Sequence, residues 1–158
     1  MKFSNAVEAG YRNYFNFSGR AGRAEFWWFW LWDIILTAVF AGFLISGLML
    51  LRQHAAGAIV VLLISLIFGI ALLGTIIPIY AVQVRRLHDA GHSGWWIGGE
   101  ILLSAFRGGL HAAMRHNPAS DLFAISLVSG LIWLGVSIAI FVFLVQPSRG
   151  GQRGYSRY

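Results

Sequence analysis

The stretch Arg85–Trp96, reading RRLHDAGHSGWW, packs two arginines, two histidines and an aspartate into eight residues. Several chemistries are open to such a set. His88, Asp89 and His92 are metal-capable, yet a His-Asp-x-x-His order is not a ligand set by itself, and a third or fourth ligand would have to come from elsewhere. Ser93 with His88 or His92 could pair a nucleophile with a base, but no orienting acid and no oxyanion site accompany them. Arg85 and Arg86 carry forked donors that suit phosphate, and lipid headgroups offer phosphate at a membrane surface. The fourth reading is structural. Asp89 lies four residues from Arg85 and three from Arg86, so either can pair with it on one helix face. The cluster then joins helices and fixes a turn. This last reading is the strongest, so we expect no catalytic residue, no metal ligand, no cofactor and no enzymatic activity.

The elements that position this stretch are membrane helices. Hydrophobic residues make up 58% of the 158-residue chain and charged residues 11%, against about 25% charged in an average globular protein. Runs of 18 or more apolar residues read as transmembrane helices, because about 20 helical residues cross a bilayer core of about 30 Å. The expected fold is therefore an all-α polytopic transmembrane bundle of about four spans, with three possible, preceded by an amphipathic interfacial helix over residues 1–18 and forming a single integral membrane domain over residues 1–158. The net charge is +6. Its arginines sit at the ends of apolar runs and form no continuous stripe, which points to anionic lipid headgroups rather than nucleic acid as the partner. With no cysteine, disulfides and thiolate sites are excluded. The polar-aromatic start and the length of the first apolar run argue against a cleavable signal peptide.

Taken in order, Phe3, Val7, Tyr11 and Tyr14 form one stripe of an amphipathic helix over residues 1–18. That helix either lies in the membrane interface or packs on the other helices. Gly19 is placed at its end. Arg20, Arg23 and Trp27 then share a face of a new helix, with Glu25 pointing elsewhere and Trp27 and Trp28 among the interfacial aromatic anchors. The first span, about Trp27 to Leu51, contains Asp33. A carboxyl at that depth is either part of an ion relay or is satisfied by an arginine or a hydroxyl, and the second is preferred. After Arg52-Gln53-His54, a second span runs from about Ala55 to Val84 across Pro78. Trp95 and Trp96 anchor the next segment. It reads as a dozen residues to Phe106, extendable to Ala113 as a poor span containing Glu100 and Arg107. Asn117-Pro118 signals a turn, and Leu122–Val145 is a clear last span. Small-residue notches occur at Ser65/Gly69 and Ser126/Gly130. Residues 146–158 form a short basic tail.

Four spans place Lys2, Arg12, Arg20, Arg23, Arg85, Arg86, Arg149, Arg153 and Arg157 on one side and Arg52, Arg107 and Arg115 on the other. By the positive-inside rule both ends are then cytoplasmic. With three spans, the amino end stays inside and the tail moves across.

Two motifs together resemble a bacterial inner-membrane family, the domain-of-unknown-function 805 (YhaH/YhaI-like) proteins. The first comprises Phe17, Gly19, Arg20, Arg23, Glu25, Phe26 and Trp27. The second comprises Arg85, Arg86, Leu87, His88, Asp89, Gly91, Ser93, Gly94, Trp95 and Trp96. The resemblance covers about residues 1–97. Family members commonly pass from the double Trp through one apolar span into a Gly/Pro-rich tail, whereas this chain has room there for two spans. The resemblance implies an inner-membrane location and no established activity.

Three functions compete. The preferred one is a non-catalytic membrane protein. Its polar cluster of Arg20, Arg23, Glu25, Arg85, Arg86, His88 and Asp89 faces the cytoplasm and contacts anionic headgroups or a protein partner. The others are an oligomeric transporter or channel lined by Asp33 and Glu100, and a lipid-headgroup enzyme using His88 and Asp89. The first requires the Arg20–Glu25 and Arg85–Asp89 segments to touch, with Glu25, Asp33 and Asp89 answering the arginines.

Overall fold

The computed structural model describes residues 1–52, 54–116 and 120–148. The expected Asn117-Pro118 turn and the tail beyond Ser148 lie outside the described residues. Those residues form five helices and no strand: α1 (Phe3–Arg12), α2 (Arg23–Leu50), α3 (Ala55–Asp89), α4 (Trp95–His116) and α5 (Ser120–Val145). Three of them are long and apolar enough to cross a membrane: α2, α3 over Ala56–Asp89, and α5 over Leu122–Val145. The fold is thus the all-helical membrane type. Large apolar side chains such as Ile67, Leu73, Leu102 and Leu131 lie exposed on the helix surfaces. In lipid they need no cover, since acyl chains are as apolar as leucine.

The chain divides into two compact units. The first comprises Met1–Phe17 and Ala24–Val82, and the second Ser18–Arg23 and the chain from Gln83 onward.

In the first unit α1 lays its aromatic stripe on α2. Phe3 meets Trp28 and Trp32 edge-on, Tyr11 meets Phe29 edge-on at 5.5 Å, and Trp32 Nε1 donates to the Tyr11 hydroxyl at 3.1 Å. Gly10 is buried directly against the Phe29 ring. The aromatic stripe of this amphipathic helix thus packs on α2. The helix ends at Arg12, well before Gly19. Asn13 is its C-cap: its backbone N–H makes the last helical bond to the Ala9 carbonyl oxygen at 3.1 Å, and its side-chain amide donates to the same oxygen at 2.9 Å. A side chain that competes for the backbone in this way favours helix ends over helix interiors. The next helix accordingly begins at Arg23 rather than near Gly19.

Also in the first unit, α2 and the first part of α3 run antiparallel. Asp33 pairs with Thr75, Phe40 covers Gly69, Phe43 stacks on Phe68 at 5.8 Å, and Leu62 fills the space over Gly47. The Ser65/Gly69 notch holds on one side only. Gly69 receives the Phe40 ring, while Ser65 turns its hydroxyl back to its own helix at the Leu62 carbonyl.

In the second unit α4 and α5 run antiparallel in a regular register. Trp96 meets Phe143 edge-on, Ser137 donates to Glu100 at 2.9 Å, Trp133 Nε1 donates to Ser104 at 3.0 Å, and the Arg107 guanidinium lies against Gly130. The segment expected to fade at Phe106 is a full helix of 22 residues, about 33 Å long at 1.5 Å per residue. Its polar residues Glu100, Ser104 and Arg107 recur every three to four positions and face α5. Leu102 and Phe106 are exposed on the rest of its surface. A helix that hides its polar stripe against a neighbour has a low mean hydropathy without exposing that stripe to lipid.

Candidate functional site

The close of α3 is built first. Gly91, with φ of +83°, takes the left-handed conformation that ends a helix. The His92 N–H donates to the Leu87 carbonyl at 2.9 Å and the Gly91 N–H to the His88 carbonyl at 3.1 Å. These are the two bonds of a Schellman motif, which satisfies carbonyls that a helix end otherwise leaves open. Gly94 follows where no side chain fits, since a Cβ there would stand 2.7 Å from Val84 and 3.2 Å from His88 Nε2. Ser93 Oγ accepts the Trp95 N–H at 3.3 Å and caps α4.

The close of α5 is satisfied differently. Its last turn carries no basic residue of its own, and its final carbonyls are met from elsewhere in the unit. Arg86 is fully buried. Its Nε donates to the Leu144 carbonyl at 3.1 Å, its Nη2 to the Gln146 carbonyl, and its Nη1 to Asp89 Oδ2 at 2.6 Å. Asp89 accepts a further hydrogen bond from the Ser148 hydroxyl. Arg23 Nε donates to the same Gln146 carbonyl at 3.1 Å. The His92 ring stacks on Phe143 with centroids 3.8 Å apart, and its Nε2 lies 3.0 Å from Gln146 Oε1. A cation at a helix C-terminus meets the negative end of the macrodipole as well as the open carbonyls. The fork geometry of arginine lets one side chain serve three acceptors.

The two charged motifs touch, as the sequence requires. The Ala21 N–H donates to the Arg85 carbonyl at 3.2 Å, and Arg23 and Arg86 converge on Gln146. The ion pair open to either arginine of the second motif forms between Arg86 and Asp89. Asp33 takes the Thr75 hydroxyl at 2.6 Å, the kind of partner expected for it if it is not part of an ion relay, and Arg23 bonds a backbone carbonyl. Carbonyls at an open helix end compete well for a guanidinium, because the last turn leaves them without partners within the helix.

The grouped polar residues also divide by exposure. Arg86 is shut off from any headgroup, and Arg85 and Asp89 are nearly so. Arg20 and Arg23 are exposed, while Glu25 and His88 are half-buried. Of the aromatic anchors, Trp95 is 85% exposed, Trp28 and Trp96 are also exposed, and Trp27 is half-buried against Phe26 and Trp30. Among the described residues, no three of His, Cys, Asp and Glu gather as a metal-ligand set. Sequence reasoning missed Leu144, Gln146 and Ser148 as partners of the cluster. Two of these act through backbone carbonyls, which have no residue signature. The available signal was an apolar helix ending without a basic residue, opposite a surplus of arginines.

Residues 14–157 match the family described as "Protein of unknown function (DUF805)". The match runs well past Trp96, where the motif resemblance stops. Two inner-membrane proteins of Escherichia coli strain K12 are similar. YhaH is 41% identical over 85 residues, covering 54% of this chain and 63% of YhaH. YhaI is 38% identical over 86 residues, covering 54% of this chain and 61% of YhaI. The uncharacterized protein YiiR of the same strain is 38% identical over 83 residues, covering 52% of this chain and 47% of YiiR. Each match spans less than two thirds of the relative's own length. No solved structure matches.

Proposed function

Since the chain belongs to the DUF805 family, whose description assigns no activity, we propose that it is a non-catalytic inner-membrane protein that binds anionic lipid through its exposed arginines. One observation carries this reading: Arg86 spends its donors on Leu144, Gln146 and Asp89 inside the protein. The most buried part of the cluster is therefore a clasp between helix ends. Arg20 and Arg23 lie exposed in and next to the loop whose Ala21 is hydrogen-bonded to that clasp. Their exposure supports contact with phosphate at the depth where α2 begins.

The same reading includes four spans with both ends cytoplasmic. α4 lies antiparallel along α5 from Trp96 to Arg107. If α5 crosses the bilayer, a 22-residue helix paired with it in register is long enough to cross too. The arginine distribution then places the Arg20 and Arg86 end in the cytoplasm.

The test uses native tryptophans in proteoliposomes. Brominated phosphatidylglycerol should quench more than brominated phosphatidylcholine at equal mole fraction. The difference should vanish in Arg20→Gln/Arg23→Gln. Equal quenching by the two lipids in the wild-type protein would sink the headgroup reading.

A further inference from the structure

We infer that the α4/α5 hairpin is a docking site for a transmembrane helix of another protein, one that carries a carboxyl group near the bilayer midplane. Arg107 is the residue that recognises it. The inference rests on α4 crossing the membrane.

Arg107 stands twelve residues past Trp95, about 18 Å along the helix, near the middle of a bilayer core of about 30 Å. Its guanidinium carbon lies 5.2 Å from the centroid of the Trp133 ring. Gly130 gives it room, since a Cβ there would come within 3.3 Å of Nη2. Neither neighbour accepts a conventional hydrogen bond from it. Arg107 Nε is screened from solvent and meets no acceptor among the described residues. In the adjacent polar layer Ser104 Oγ accepts the Trp133 N–H. The unit's own membrane carboxyl, Glu100, receives the Ser137 hydroxyl.

An intramembrane cation with an open donor marks a functional site by default, and its partner is an acceptor at the same depth. Phosphate lies about half a bilayer away. Helical side chains lean toward the amino end of their helix, so Arg107 leans back along α4 and away from the nearer end. A carboxyl group on a neighbouring helix fits the depth and the charge. The surface beside the seam fits a helix as well. An open apolar groove of about 400 Å³ runs along the hairpin, lined by Leu103, Phe106, Ile125, Val128 and Ile132. It can take the side chains that flank such a carboxyl.

The experiment uses the full chain in proteoliposomes, donor-labelled, with acceptor-labelled leucine/alanine host peptides that span the bilayer and carry a central Glu, Gln or Leu. Energy transfer should show the Glu peptide associating about fivefold or more tightly than the Leu peptide, with Gln between them. The preference should be lost in Arg107→Leu and partly kept in Arg107→Lys. Equal association of the three peptides with wild-type protein overturns the proposal, and this arm needs no variant to fold. Two further outcomes overturn it by naming another occupant. One is self-transfer between copies of the protein that disappears in Arg107→Leu. The other is loss of the Glu preference when phosphatidylglycerol replaces phosphatidylcholine. Labelling of Ala112→Cys separates the underlying topology. If Ala112 is reached from the same side as Ser18→Cys, α4 does not cross and the four-span reading falls. If it is reached from the opposite side and the peptides do not discriminate, only the docking proposal falls.

Discussion

The Arg86 guanidinium closes a helix to which it does not belong: its Nε donates to the Leu144 carbonyl oxygen at 3.1 Å, across 58 residues of sequence. α3 seals its own end with glycine and backbone bonds, whereas α5 borrows a side chain. Two helix ends are thereby joined by one residue, and the charge of that residue is cancelled locally by Asp89.

Arg86→Ala should therefore destabilise the protein by about 3–5 kcal/mol, the cost of leaving a buried carboxylate and open carbonyls without a partner. Arg86→Lys should recover only part of this, because an ammonium point charge does not reproduce the fork. Unfolding in detergent followed by circular dichroism reads both. A Lys variant as stable as wild type would show that charge alone matters.

Gly10→Ala reverses a general rule. Alanine in a helix interior normally stabilises by about 1 kcal/mol over glycine. Here the added Cβ would stand 2.2 Å from the Phe29 ring, which is fully buried. The expected result is release of α1 from α2, seen as faster proteolysis near Asn13 and a change in tryptophan emission from Trp28 and Trp32. Unchanged proteolysis would mean that α1 is not held by this contact.

Asp33 and Thr75 test the ion-relay reading. Thr75→Val removes the hydroxyl 2.6 Å from the carboxyl and should cost about 0.6–1.7 kcal/mol, the range for hydrogen bonds between membrane helices. Asp33→Asn keeps a polar partner and should cost less. Both changes should leave the proton permeability of proteoliposomes at the wild-type level. A change in permeability confined to Asp33→Asn would revive the relay.

Topology is read by single-cysteine labelling. Ser18→Cys and Ser156→Cys should react from one side of the membrane, and Arg52→Cys and Ala112→Cys from the other. Labelling of Ser18 and Ser156 from opposite sides would leave three spans and would remove α4 from the membrane.

The sequence made some of this legible and hid the rest for definite reasons. The Arg86–Asp89 pair and the turn at Gly91 follow from spacing on one helix, where three residues separate neighbours on a face. The length of α4 did not follow from hydropathy. Glu100 and Arg107 lower the average, and only the register with Ser137 and Gly130 shows that the polar stripe is covered. Asn13 carried a readable stop signal, but the aromatic stripe running on to Tyr14 masked it. The acceptors at Leu144 and Gln146 were not legible at all, because any residue type supplies a carbonyl. Their role depends on where the last helix ends in space.

The separation between Arg86 and its acceptors also sets an order of events during synthesis. A ribosome delivers Arg86 long before Leu144 and Gln146 exist, so the nascent chain carries an unanswered guanidinium until its last helix is made. The closing of that contact marks the arrival of α5. A product truncated before α5 keeps the arginine without these acceptors.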